Sequence, residues 1–171
     1  MNVNSEPNEL DAYKKAITEM YESQSDVPVS NSKADHAAAL YELFFNKAKN
    51  RIVIFCNNGA KDIFEMPTVI TAFKGAIEKG ISVMLVAQTA LECQSIKDMA
   101  RNSVNFIIKM ASKSDADRLE NFCVVDEHAF RYEPNKTKFE GFARMNYPED
   151  AKKLIARFDQ IWERAQECSP A

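Results

Sequence analysis

The stretch Glu120-Asn121-Phe122-Cys123-Val124-Val125-Asp126 decides how this chain of 171 residues is read, because a clean apolar run ends on one carboxylate. Four consecutive apolar residues between polar ones describe a short strand. A second run at 129–133 follows Asp126-Glu127-His128, so the pair is expected to form a hairpin. Asp126 sits at the exit of the first strand, a place where α/β proteins gather chemistry. Neither His nor Lys precedes it at catalytic spacing.

Upstream, the apolar spacing alternates between helical and extended. Leu10, Tyr13, Ile17 and Met20 predict an amphipathic helix over about 8–23, behind a frayed tail at 1–8. Residues 25–31 read as a turn or short extended linker, and Ser32 with Asp35 resembles a capping pair. Ala37, Leu40, Tyr41, Phe44, Phe45 and Ala48 then line a strong helix. A strand at 51–56 leads to a loop at 57–59 and a helix at 66–79, with Pro67 in its first turn. A strand at 81–87, a helix at 90–101 and a strand at 103–109 complete the pattern.

Strand, helix, strand, helix, strand predicts right-handed crossovers. The expected fold is therefore α/β, a mixed but mostly parallel sheet flanked by helices, with an extra N-terminal helix. Lys113 to Asp117 reads as a polar loop, 138–145 as a further strand, and Pro148 as the start of the last helix. The expected division is a tail, helix and linker over 1–32 and one α/β domain over 33–168.

Composition bounds the function classes. Hydrophobic residues make up 46% and charged residues 27%, as in an ordinary globular protein. A net charge of -3 argues against a wholesale nucleic-acid coat but leaves room for a local basic patch. The polar, acidic N-terminus does not resemble a signal peptide, and no apolar run approaches the ~18 residues of a membrane span. The four cysteines show no paired spacing typical of zinc ligands, and free thiols in a reducing cytosol fit them.

Most catalytic motifs are absent. No glycine-rich phosphate cradle exists among only four glycines, so no nucleotide cofactor is implied. Two histidines, His36 and His128, give little scope for a metal. Asp115, Asp117 and Glu120 read as a solvated charged stretch, His36 as a surface histidine and Cys56 as a core thiol. Asn57 and Asn58 are expected at the ligand-binding edge of the sheet, either as turn residues or as the lining of a pocket with Asp126.

The order of elements, and the stretch from 119 onward, resembles the phospholipase D-like family. Its members carry His-x-Lys-x-x-x-x-Asp, with the aspartate ending an apolar strand. Asp126 matches that aspartate, whereas the histidine position falls on Leu119 and the lysine position on Asn121. Asn146 is the counterpart that the resemblance suggests for a later family asparagine. The resemblance implies one lobe of a fold whose lobes pair, hence a homodimer, with a pocket of Asn57, Asn58, Asn121, Asp126, His128 and Asn146. Leucine cannot act as a nucleophile and asparagine brings no cation, so the departure argues against phosphodiesterase chemistry of the family type.

Three functions follow as expectations. The first is a non-catalytic binding, regulatory or scaffolding protein with a protein partner, such as an accessory protein in a phage or mobile-element conflict system. The second is nucleic-acid binding through Arg131, Lys136, Lys138 and Arg144, interleaved with Tyr132, Phe139 and Phe142. The third is an enzyme of atypical phosphodiester chemistry using Asp126, Asn57, His128 or Cys56. Of these the non-enzyme is the favoured expectation, with no membrane association and no metal.

Overall fold

A computed structural model describes residues 8–57, 61–138 and 140–168. The expectations for the tail at 1–7, for Asn58 and for Phe139 fall outside those residues. Helix α1 (Glu9–Glu22) is capped by Asn8, whose side chain accepts the N–H of Leu10 at 3.0 Å. Strand β1 (Val29–Asn31) and helix α2 (Ala34–Lys47) follow. The N-cap of α2 is Lys33, without a side-chain hydrogen bond, so the capping pair expected from Ser32 and Asp35 does not form.

The apolar run Arg51–Cys56 forms β2, and α3 (Lys61–Phe64) and α4 (Pro67–Glu78) carry the chain to β3 (Ser82–Ala87). Gly80, with φ of 83°, makes the turn between them, a conformation that a side chain would strain. Helix α5 (Gln94–Arg101) leads to β4 (Phe106–Met110), and the one-turn helix α6 (Lys113–Ala116) to β5 (Asn121–Val125). Strands β6 (Ala129–Glu133) and β7 (Gly141–Arg144), helix α7 (Pro148–Arg164) and β8 (Gln166–Glu167) complete the described fold.

All eight strands join one sheet in the order β1-β7-β6-β5-β2-β3-β4-β8. The expected mostly parallel sheet is corrected here, because only β2–β3 and β3–β4 are parallel and the other five pairs are antiparallel. The reason lies in the connections. A parallel pair needs a crossover of a dozen or more residues, and α3–α4 and α5 supply it. Strands β5, β6 and β7 follow one another as hairpins, while β1 and β8 are edge strands of three and two residues.

Helices α1 to α5 cover one face of the sheet and α7 covers the other. The first core contains Leu40, Phe44, Phe45, Phe64, Phe73 and Phe106, all essentially buried. Phe55, Phe122, Phe130 and Phe158 build the second core beneath α7. Gly141 lets β7 approach its neighbour, since a Cβ there would lie 2.8 Å from the carbonyl oxygen of Tyr132. Among the described residues no helix is long and apolar enough to cross a membrane.

Candidate nucleic-acid interface

Strand β5 runs antiparallel to β2, with Ile52 opposite Val125 and Phe55 opposite Phe122. Its first residue therefore lies where β2 ends, and its last lies where β2 begins. This register splits the pocket expected from the sequence into two groups at opposite ends of the sheet. Six residues of β2 separate them, about 20 Å at the usual rise per residue.

Asp126 belongs to the end where β2 begins. Its carboxylate accepts the backbone N–H groups of Lys49, Asn50 and Arg51 at 2.7, 2.8 and 2.9 Å. Asp126 and Glu127 both have positive φ, 49° and 63°, and His128 N–H bonds to the Val125 carbonyl at 3.2 Å. These values describe a tight turn centred on Asp126 and Glu127, with His128 as the third connecting residue before the strands pair at Val125 and Ala129. His128 Nδ1 lies 3.0 Å from the Met145 carbonyl, and its ring packs 5.8 Å from that of Tyr21. Asn146 bonds through its N–H to the Ser25 carbonyl at 3.1 Å. Arg144 is here too, donating to the Asp26 carbonyl at 3.0 Å and lying 4.3 Å over the Tyr147 ring.

Asn57 and Asn121 meet at the other end. Asn57 N–H donates to Asn121 Oδ1 at 2.9 Å, and the Thr89 hydroxyl donates to Asn57 Oδ1 at 3.2 Å. Asn121 Nδ2 donates to Glu133 Oε2 at 3.3 Å, and both terminal nitrogens of Arg131 reach the same oxygen at 3.2 Å. Arg131 Nε donates to Asn31 Oδ1 at 3.2 Å, and its guanidinium sits 5.7 Å from the Tyr41 ring. Only 1% of Arg131 and 4% of Glu133 is exposed, so Arg131 is an internal charge and not a surface contact.

Buried thiols flank this network. Cys56 and Cys123 are both fully buried, and burial pushes the Cys123 thiol above its ordinary range while Arg131 pulls the other way. A nucleophilic Cys56 therefore has no route to solvent. Within one chain Asn57 and Asp126 therefore do not share a site.

On the opposite face, at this same end, the stretch read as solvated is an organised charge cluster. Asp115 is only 2% exposed. It accepts two hydrogen bonds from Arg164, at 2.9 and 3.0 Å, one from Arg118 at 3.0 Å and one from the Ser112 hydroxyl at 2.7 Å. These donors, Arg164 foremost, hold its carboxyl down at about 2. Glu120 accepts from Arg157 at 2.7 Å, from the Tyr132 hydroxyl at 2.9 Å and from Arg118 at 3.3 Å.

Helix α7 places Arg157 and Arg164, seven residues apart, on one face two turns from each other. Arg118 bridges the two carboxylates from the loop before β5. Lys136 joins the group, its backbone N–H on the Leu119 carbonyl at 2.6 Å and its Nζ on the Ala116 carbonyl at 3.1 Å. Lys138 is exposed nearby on the β6–β7 turn, and Leu119 is 59% exposed. Gln88, at the end of β3, donates to the Arg118 and Glu120 carbonyls at 3.0 and 3.2 Å.

Of the four cations expected to contact nucleic acid, Lys136 and Lys138 thus share one end of the sheet. Arg131 is internal and Arg144 sits at the far end. Arg118, Arg157 and Arg164 were missed. The detectable signal was the seven-residue spacing of two arginines on the last helix; the convergence of Arg118 with them depends on the register of β5.

Several solved structures share this fold. The phospholipase D family member Nuc from Salmonella typhimurium superposes with a TM-score of 0.63 at 14% identity, over 84% of this chain and 100% of that one. NucT from Helicobacter pylori gives 0.64 at 10% identity, over 83% and 99% of the two chains. TrmBL2, described as an archaeal chromatin protein with a novel mode of DNA binding, gives 0.65 at 16% identity over 94% of this chain and 64% of that one. These likenesses establish the fold. They also overturn the expectation that the chain is more readily a non-enzyme, because the frame is shared with a phospholipase D family member.

A search of the curated proteins finds no match. One family model, described as a domain of unknown function (DUF7931), matches residues 32–170, most of the sheet and all of its helices after α1. The chain belongs to the DUF7931 family.

Proposed function

We propose that this chain binds the phosphodiester backbone of nucleic acid, with Arg118, Arg157 and Arg164 as the principal contacts and Lys136 and Lys138 beside them. The observation that carries the reading is the arginine cluster. Its three guanidinium side chains are 37, 41 and 45% exposed, anchored on one side and open on the other. Arg118, Arg157 and Arg164 bond to Asp115 and Glu120 there, Glu163 lies within electrostatic reach of Arg164, and Lys136 bonds a backbone carbonyl. An overall charge of -3 leaves room for such a local cluster.

Guanidinium forks suit phosphate oxygens, and a fork already held by a carboxylate loses little freedom on binding. Backbone contacts of this kind carry affinity without reading sequence. The likeness to TrmBL2 supports the reading at the level of a shared frame. Fluorescence anisotropy with labelled duplex and single-stranded DNA tests it. Saturable binding that falls in the Lys136→Gln/Lys138→Gln and Arg157→Gln variants is the expected result; no binding of either strand form at low salt would sink it.

The chain also acts, on this reading, as a homodimer. The match spans 100 and 99% of the Nuc and NucT chains, and the resemblance to the phospholipase D-like family implies lobes that pair. Paired lobes would double the basic surface available to one nucleic acid.

A further inference from the structure

The segment Arg118-Leu119-Glu120 enters β5 at the arginine-cluster end of the sheet and presents an apolar side chain to solvent. Leu119 is 59% exposed, whereas the other exposed large apolar residues described, Val27, Val104 and Ile107, lie in the linker before β1 and in or beside β4. The carbonyl directions show that the segment is extended. Gln88 Nε2, from the end of β3, donates to the Arg118 and Glu120 carbonyls at 3.0 and 3.2 Å. The Lys136 N–H, from the β6–β7 turn, takes the Leu119 carbonyl at 2.6 Å on the other edge. Side chains alternate along such a backbone. Those of Arg118 and Glu120 share one side, where they meet at 3.3 Å, and Leu119 leaves from the other.

The anchors of this segment are themselves held. Gln88 is 3% exposed, and Asp115, Arg157 and Tyr132 tie Arg118 and Glu120 into the cluster. Leu119 thus combines a fixed backbone with an uncovered side chain, and it loses little freedom when a ligand covers it. Its neighbours decide which ligand that is. A chain whose phosphates lie on Arg118 and Arg157 carries bases beside them, and every base has a face that can pack on an apolar side chain. In a duplex those faces are stacked on one another, and reaching them requires unstacking. In a single strand they are free.

We infer that Leu119 packs against the face of an unpaired base, so that the arginine cluster takes single-stranded nucleic acid in preference to duplex. This rests on the phosphate-binding reading proposed above and adds the class of nucleic acid to it. Arginines hold the backbone on one side of the entry to β5, and Leu119 meets the bases on the other. A leucine side chain has no donor or acceptor with which to read a base edge. The preference is therefore for strandedness and not for sequence.

Fluorescence anisotropy of the full chain at low salt, with three labelled oligonucleotides of equal length, tests the base contact. The probes are a thymidine single strand, an abasic strand that keeps the phosphates and lacks the bases, and a duplex. The thymidine strand is expected to bind at least tenfold tighter than either of the others. Leu119→Ser should bring it to within about threefold of the abasic strand, and Leu119→Trp, with a larger stacking surface, should widen the gap. The comparison of thymidine with abasic strand uses the parent chain, so the answer does not depend on a variant that folds. Abasic strand or duplex bound as tightly as the thymidine strand overturns the base contact and leaves the phosphate-binding reading standing. A folded Leu119→Ser that keeps the parent's preference does the same. Absence of binding to all three probes overturns both.

Discussion

Asp126 and Arg51 are joined across 75 residues of sequence by a 2.9 Å hydrogen bond from the Arg51 N–H to the Asp126 carboxylate. The same carboxylate takes the N–H groups of Lys49 and Asn50, so one side chain secures the turn that feeds β2. Hydrogen bonds to a charged acceptor are the stronger kind. Asp126→Ala should cost about 2–4 kcal/mol of stability. Urea unfolding measures that loss, and DNA affinity of the folded fraction should stay as in the parent.

The buried pair Arg131 and Glu133 makes a sharper prediction. Removing one partner leaves the other charge uncompensated beside Asn31 and Asn121. Arg131→Met is expected to lose about 3–5 kcal/mol. Arg131→Met/Glu133→Leu should recover part of that loss in chemical denaturation, because it removes the stranded charge as well.

Acid should weaken the chain through Asp115. Its carboxyl in the folded protein titrates at about 2, below its ordinary 3.8. A depressed folded value stabilises the protein above about pH 4. That contribution is lost as pH falls from about 4 to about 2 and amounts to about 2 kcal/mol. Denaturation curves at pH 7, 4 and 2.5 should show this step in the parent and a smaller one in Asp115→Asn.

How much of this was legible in the sequence follows from the range of the interactions involved. The apolar spacing in 8–23 and 66–79 marked α1 and α4 because each helix carries its own periodic stripe. The hairpin turning at Asp126 was legible for a similar reason, since its strands are adjacent in sequence. Strands β1 and β8 were not, because three and two residues are too few to show alternation. The antiparallel entry of β5 beside β2 is a long-range choice, and it separates Asn57 from Asp126. The burial of Asp115 was hidden because its partners Arg118 and Arg164 are 3 and 49 residues away. A charged stretch looks solvated until the far partner is known.

The proposed dimer has a direct test in size-exclusion chromatography with light scattering. At ~50 µM the expected mass is twice that of the 19.4 kDa chain. A single-chain mass at that concentration would contradict the assembly while leaving the arginine cluster to be tested by itself.

The central claim is that the arginine cluster grips phosphates, and the salt dependence of duplex DNA affinity tests it most directly. Each phosphate contact releases counterions, so log affinity should fall linearly as log salt rises. Removing one contact with Arg157→Gln should lower the steepness of that line by about 1. A parent protein with no affinity at low salt, or an Arg157→Gln line that coincides with the parent's, would contradict the account.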